Sequence, residues 1–225
     1  MRAGSSAEAL MRAGARTTAA TLPWLVRRGA LRFWDELPRS VAAGALGLAT
    51  AAPLVVAMIA ALPDWILAVT TVPPALALTG LVRFAAAVAR GDGPRLAVLR
   101  ELDPALAVLL AAGVSLAGLG LTSGGGAALA GAAGAAALLL VFPYALAYGA
   151  LRGRRGLRAL RGGAILVAFR PSWALTLVAM GCLGGFAAAA SAGVLAAVVL
   201  PLLLAITASQ TIGLLDEIDA LQGRA

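Results

Sequence analysis

The residues best suited to binding chemistry in this sequence are arginines in two short segments between long apolar runs. A guanidinium group binds a carboxylate or a phosphate through paired hydrogen bonds, so an arginine cluster suits an acidic protein or an anionic lipid head group. The candidate docking residues are Arg90, Arg95, Arg100, Arg152, Arg154, Arg155, Arg158 and Arg161. A second explanation stays open, because membrane orientation and simple attraction to anionic lipid would also place arginines here.

Prolines and polar side chains inside the apolar runs form a second group of candidates. Proline removes a backbone donor and kinks a helix, while hydroxyl and amide groups can hydrogen-bond between helices. This group consists of Pro73, Pro74, Pro143, Thr207, Gln210 and Thr211. It fits either a path for a neutral solute or kinks and hydrogen bonds that only hold helices together.

The composition excludes several kinds of chemistry. All eighteen basic residues are arginine, and the sequence contains no lysine and no histidine. A Walker A loop needs lysine, and a Ser-His-Asp triad or a histidine metal site needs histidine. The single cysteine, Cys182, lies in an apolar run and has no partner for an intramolecular disulfide. The sequence therefore predicts no catalytic residue, no metal site and no cofactor.

The balance of apolar and charged residues predicts the fold class. Hydrophobic residues make up 61% of the 225-residue chain and charged residues only 12%, whereas a soluble domain usually carries about 25% charged residues. Uncharged runs of about 20 residues are typical of membrane-spanning helices. The sequence predicts an all-α, polytopic membrane bundle of six transmembrane helices, at residues 41–62, 66–82, 105–121, 127–147, 173–190 and 194–215.

The segments flanking this membrane domain (residues 41–215) have different characters. Residues 22–40 combine Trp24 and Trp34 with several arginines, a mixture that predicts an amphipathic helix lying in the membrane interface. Residues 1–21 are small and polar and predict a flexible cytoplasmic tail, and residues 216–225 predict a second cytoplasmic tail.

The distribution of arginine predicts the orientation of the chain. If the N-terminus is inside, all eighteen arginines fall on inner segments, and the outer turns hold only one charged residue, Asp64. Arginine is enriched on the cytoplasmic side of membrane proteins. The sequence thus predicts a multi-pass protein of the inner, cytoplasmic membrane with both termini cytoplasmic. Because the arginines flank apolar spans, the net charge of +8 indicates anionic head groups as partners and no nucleic acid.

Small residues at helical spacing indicate close helix packing. Such residues let backbones approach each other, which matters in lipid because no hydrophobic force drives helices together. The pattern occurs at Gly44/Gly47, Gly113/Ala117, Gly120, Gly131/Ala135 and Gly181/Gly185. It predicts a compact bundle and leaves open whether the protein is a monomer or a homo-oligomer.

Two stretches of the chain are similar to a known family. The segments Val72–Asp92 and Phe142–Leu175 each join a span end to an Arg-bearing helix and hairpin, and the second continues into the next span. In these features the chain resembles the YesL family of small six-span bacterial membrane proteins, which has no assigned biochemical activity. The resemblance implies an accessory role beside carbohydrate ABC transporters and supplies no catalytic residue.

Two functions follow as expectations. The first is a non-enzymatic accessory or structural membrane component, with ABC transporter subunits as candidate partners. The second is a small permease, or a motor-dependent membrane subunit, that moves a neutral solute. No ionisable residue lies in the middle of a predicted span, and this argues against a proton-coupled transporter.

Overall fold

The computed structural model describes residues 22–93, 95–191 and 193–223, and every regular element in these ranges is a helix. The elements are α1 Leu22–Asp35, α2 Leu37–Ala49, α3 Ala52–Ile59, α4 Asp64–Thr70, α5 Val72–Arg90, a 3-10 helix at Leu96–Arg100, α6 Pro104–Ser123, α7 Gly125–Arg152, α8 Leu157–Phe169, α9 Pro171–Ala190 and α10 Ala196–Gln222. The predicted all-α class is confirmed. The predicted tail at residues 1–21 lies outside the described residues.

Among the described residues, five helical stretches are long and apolar enough to cross a membrane: α4 with α5, α6, α7, α9 and α10. A sixth candidate is the pair α2 and α3, which passes the same test only if the two helices, bent by 41° at their junction, count as one broken span. The chain is therefore an integral, multi-pass membrane protein.

The first predicted span differs in detail from the structure. Helix α2 begins at Leu37 with Pro38 in its first turn, where the missing N–H of proline has no helical partner to lose. The helix is then interrupted at Thr50, and α3 begins at Ala52 with Pro53 in its first turn. Proline at this place cannot donate to the preceding turn, and this explains why the span is broken rather than continuous.

Helix α10 is the centre of the bundle. It packs against α1, α2, α5, α7 and α9. In its most apolar window 61% of the residues are buried inside the protein, against 11% in the corresponding windows of α7 and α9. Every residue from Leu204 to Thr211 is buried. The helix continues to Gln222, so the segment predicted as a tail from residue 216 is largely helical.

Glycines hold several helices close together. A Cβ added at Gly44 would lie 2.7 Å from the Cγ atom of Pro201, which places α2 directly against α10. A Cβ at Gly120 would lie 2.8 Å from the Cα atom of Gly131, which joins α6 to α7. These contacts agree with the predicted role of small residues. Gly181 and Gly185 do not, because nothing else in the described structure lies within 4 Å of their Cβ positions.

Helix α1 is amphipathic as predicted, and one of its faces is part of the bundle. Leu25 and Phe33 are buried, and α1 packs against α10 and α5. A Cβ at Gly29 would lie 3.0 Å from the Oγ atom of Ser209, so the two helices touch along this face. Trp24 and Trp34 are exposed on the other face.

Candidate functional site: the arginine-bearing end of the bundle

The charged segments meet at one end of the bundle. The connector between α5 and α6 (residues 91–103) is bonded to the loop between α7 and α8 (residues 153–156). The ends of α7 and α9 are bonded to the last turns of α10 through Arg152–Asp219 and Arg170–Glu217. We call this region, which contains all eight candidate arginines, the arginine-bearing end.

Asp103 joins the two inner loops. It is 4% exposed, and its Oδ1 atom accepts a hydrogen bond from the backbone N–H of Leu106 at 3.1 Å, capping α6. Its Oδ2 atom accepts from the backbone N–H of Gly156 at 3.2 Å, and its own N–H donates to the Oγ1 atom of Thr79 at 3.2 Å. One carboxylate thus ties together α5, α6 and the loop before α8.

This role of Asp103 was not predicted from the sequence, although one signal for it was present. Asp103 directly precedes Pro104, and aspartate followed by proline is a typical N-cap and first helical residue. That signal would have predicted the cap at α6. The bond to Gly156 joins residues 53 positions apart, and no local pattern indicates it.

Four arginines at this end are paired with carboxylates. Arg90 contacts Asp92 at 2.8 Å and Arg83 contacts Glu101 at 3.0 Å, while Arg152 and Arg170 contact Asp219 and Glu217 on α10. Exposed ion pairs of this kind add little stability, about 0–1 kcal/mol each. Their main consequence is that the candidate residues Arg90 and Arg152 are already neutralised.

The other six candidate arginines are exposed and unpaired. They have no carboxylate oxygen within 4.0 Å anywhere in the part of the chain that the structure describes. Two lie on the connector, Arg95 and Arg100, and four lie in or after the α7–α8 loop, Arg154, Arg155, Arg158 and Arg161. Positive charge is therefore available at the arginine-bearing end for a partner from outside the chain.

The polar candidates on α10 are inside the protein and each makes a hydrogen bond, but the buried Nε2 atom of Gln210 has no partner among the described residues. Gln210 and Thr211 have no exposed surface, and the hydroxyl of Tyr144 donates to the Oε1 atom of Gln210 at 2.8 Å. The hydroxyls of Thr207 and Thr211 donate to backbone carbonyls one turn earlier, at 2.7 and 2.8 Å. Bonds of this kind join helices or satisfy hydroxyl groups within one helix.

The three candidate prolines occupy two kinds of position. Pro73 and Pro74 lie in the first turn of α5, after a break at Thr71. The hydroxyls of Thr70 and Thr71 donate to carbonyls of the preceding turn, so these hydroxyl groups are satisfied locally. Pro143 lies inside α7, directly before Tyr144. These prolines shape the joint between α4 and α5 and the course of α7.

Two further polar groups lie between α1 and the bundle. An Nη1 atom of Arg32 and the Oγ atom of Ser209 are buried, without a hydrogen-bond partner among the described residues. Burial, assisted by the neighbouring charge of Arg28, lowers the pKa of Arg32, and Asp92 acts in the opposite direction. The guanidinium stays charged at neutral pH, because its ordinary pKa lies far above 7.

Comparison with known proteins gives no match: no family model, no curated protein and no solved structure matches this chain. The geometry of the arginine-bearing end is therefore the basis for a functional assignment.

Proposed function

We propose that the protein is a non-enzymatic accessory component of the cytoplasmic membrane that binds an acidic partner protein through the connector between α5 and α6. In this proposal the chain crosses the membrane six times, with α2 and α3 as one span and both termini inside. The observation that carries the proposal is the exposed, unpaired charge of Arg95 and Arg100 beside exposed apolar side chains.

The connector has the composition of a protein-binding element. Its 3-10 helix carries Leu96, and Leu102 follows it; these side chains are 42% and 39% exposed. Arg95 and Arg39 lie on either side of a notch of about 370 Å³ that Leu96 also lines. Apolar contacts supply affinity in an interface, and complementary charge supplies orientation and speed of association. An acidic segment with apolar side chains would match this surface.

The state of the bundle interior favours the accessory role over a permease. The polar residues that would line a solute path, Thr207, Gln210 and Thr211, are buried, and each makes at least one hydrogen bond within the protein. The resemblance to the YesL family suggests a subunit of a carbohydrate ABC transporter as the partner. Neither argument requires the chain to carry out transport itself.

Affinity purification from native membranes in mild detergent tests the proposal. We expect the wild-type protein to retain a membrane-transport subunit with an acidic cytoplasmic surface, identified by mass spectrometry. The double variant Arg95→Gln/Arg100→Gln should lose most of this partner, since two unpaired charges are removed from the binding surface. The partner should still bind Arg154→Gln/Arg155→Gln, the matched control with the same change in net charge.

Two results would contradict the accessory role. One is purification of the wild-type protein without any partner protein. The other is uptake of a neutral sugar by the purified protein alone in proteoliposomes.

Cysteine labelling tests the proposed orientation. In a Cys182→Ser background, Ser123→Cys should react with a membrane-impermeant maleimide added to intact cells, because the α6–α7 turn lies outside. Arg154→Cys should react only after the membrane is opened. Labelling of Arg154→Cys in sealed cells would reverse the orientation, and parallel labelling of opened cells checks that both thiols are reactive.

A further inference from the structure

A cleft of about 950 Å³ lies beside the Asp103 junction, between the first turns of α6 and the loop that leads into α8. One wall consists of Ala105, Val108 and Leu109 on α6. The other wall consists of the α7–α8 loop and the first residues of α8. The cleft is thus apolar on one side and carries arginine on the other.

The basic wall is formed by Arg154, Arg155 and Arg158, which are three of the unpaired arginines. None of them has a carboxylate partner within the described ranges. The same wall contains the N-terminus of α8, a helix of 13 residues, whose positive dipole end also favours an anion. Three guanidinium groups without a counter-charge suit a phosphate group.

The apolar wall belongs to a membrane-spanning helix. Pro104–Ser123 is one of the candidate spans, so the first turns of α6 lie where a span begins, next to lipid head groups. Val108 is 55% exposed on this wall, and Leu157 is 69% exposed at the rim. Arginines at head-group depth above an apolar surface match a phospholipid, whose phosphate is joined to an acyl chain.

The two walls are held in place before any ligand binds. Gly156 in the loop donates its N–H to Asp103 at 3.2 Å, and a Cβ added to it would lie 3.2 Å from the Cβ atom of Ala105. Gly156 also has a φ of +55°, which favours glycine over other residues. A cleft with fixed walls binds with a smaller loss of conformational entropy.

We infer that this cleft is a specific site for one anionic phospholipid, with the phosphate on Arg154, Arg155 and Arg158 and an acyl chain along Val108 and Leu109. The inference depends on the membrane location of α6 and does not depend on the accessory role. A specific site of this kind differs from general attraction between a basic surface and the inner leaflet, because charge and shape are both required.

Native mass spectrometry of the full-length protein, titrated with phosphatidylglycerol or phosphatidylcholine in mild detergent, tests the inference. We expect one tightly bound phosphatidylglycerol and no comparable phosphatidylcholine. The cleft variant Arg154→Gln/Arg155→Gln/Arg158→Gln should weaken this binding by roughly 100-fold, since each arginine near the surface contributes several-fold. The control Arg27→Gln/Arg95→Gln/Arg100→Gln has the same net charge and should weaken it less than about threefold, because none of these arginines lines the cleft and salt screens charges outside it.

A second variant tests the shape of the site without changing charge. Val108→Trp places a large side chain where the acyl chain is expected to lie. Because close contact with the acyl chain contributes to affinity, phosphatidylglycerol binding should weaken by about tenfold. Glycerol 3-phosphate, which has the phosphate but no acyl chain, should not displace the lipid.

Three outcomes would overturn the inference. Equal losses in the two triple variants would show diffuse attraction rather than a site. Full binding by Val108→Trp would show that the cleft is not occupied by the acyl chain. Displacement of the lipid by glycerol 3-phosphate would assign the arginines to a soluble phosphate instead. Equal melting temperatures of the lipid-free variants check that each one is folded.

Discussion

Gly44→Ala should lower the melting temperature of the detergent-solubilised protein, whereas Gly181→Ala should leave it unchanged or raise it. The two substitutions add the same single methyl group to the same residue type in a helix. At Gly44 the added Cβ would overlap the backbone carbonyl of Ala197 and lie 2.7 Å from the Cγ atom of Pro201. At Gly181 no atom of another described element lies within 4 Å.

The opposite changes in melting temperature follow from two competing contributions to the free energy of unfolding, helix propensity and overpacking. Replacing glycine by alanine in a helix favours the helix by roughly 1 kcal/mol. Overpacking a close contact costs about 1–3 kcal/mol, and more when backbone has to move. At Gly44 the added Cβ meets backbone, so overpacking should dominate and separate α2 from α10, and a net loss of about 2 kcal/mol corresponds to a fall in melting temperature of roughly 4–8 °C for a chain of this size.

Thermal unfolding followed by the loss of the monodisperse peak in size-exclusion chromatography measures both variants under one set of conditions. Gly185→Ala, a second glycine that faces open space, is a further control on α9. If Gly44→Ala were as stable as Gly181→Ala, the close contact between α2 and α10 would be wrong, and with it the position of α2 beside the central helix.

A second large fall in melting temperature is expected for Asp103→Ala. This substitution removes the cap of α6, worth about 0.5–2 kcal/mol, and leaves the N–H of Gly156 without its acceptor, at a cost of about 1–3 kcal/mol. The combined loss of roughly 1.5–5 kcal/mol corresponds to a fall in melting temperature of about 3–20 °C for a chain of this size. Asp92→Ala is the matched control, because Asp92 is exposed in a surface ion pair with Arg90.

Limited proteolysis measures the local effect of Asp103→Ala on the α7–α8 loop, in addition to its effect on the stability of the whole protein. The loop at residues 153–156 is attached to Asp103 through Gly156, and it carries the trypsin sites Arg154 and Arg155. Cleavage after these arginines should be faster in Asp103→Ala than in wild type and unchanged in Asp92→Ala. Equal cleavage rates in all three proteins would mean that Asp103 does not hold this loop.

The features that were predictable from the sequence are those set by local composition. Long apolar runs indicated membrane helices, and the described residues contain five helical stretches of sufficient length, with a sixth only if α2 and α3 count as one span broken at Thr50. The break itself was not predicted, although Pro53 stands just beyond it, because proline in the first turn of a helix and proline in its middle look alike in a sequence. Helix α1 was predicted as amphipathic, but the sequence did not indicate which helices cover its buried face.

At the candidate site, too, local features were predictable from the sequence and contacts between distant residues were not. The sequence identified the six unpaired candidate arginines, since a charge between two apolar spans stands out in composition. It did not separate them from Arg152, whose carboxylate partner Asp219 lies 67 positions away on α10. Pairing of this kind depends on which helix ends meet, and many arrangements of the same helices would satisfy the same hydropathy.

The class of the molecule follows from the order of its residues: an all-α, multi-pass membrane protein with its arginines in short segments between apolar helices. Hydropathy and charge act residue by residue, so the partition of each segment between lipid and water is already present in the linear order. Three properties became visible only in the folded molecule: α10 is central, Gly44 is a contact while Gly181 is not, and Asp103 holds the walls of a basic cleft. These properties arise from contacts between residues far apart in the chain, whose free energies depend on distances that no local pattern contains.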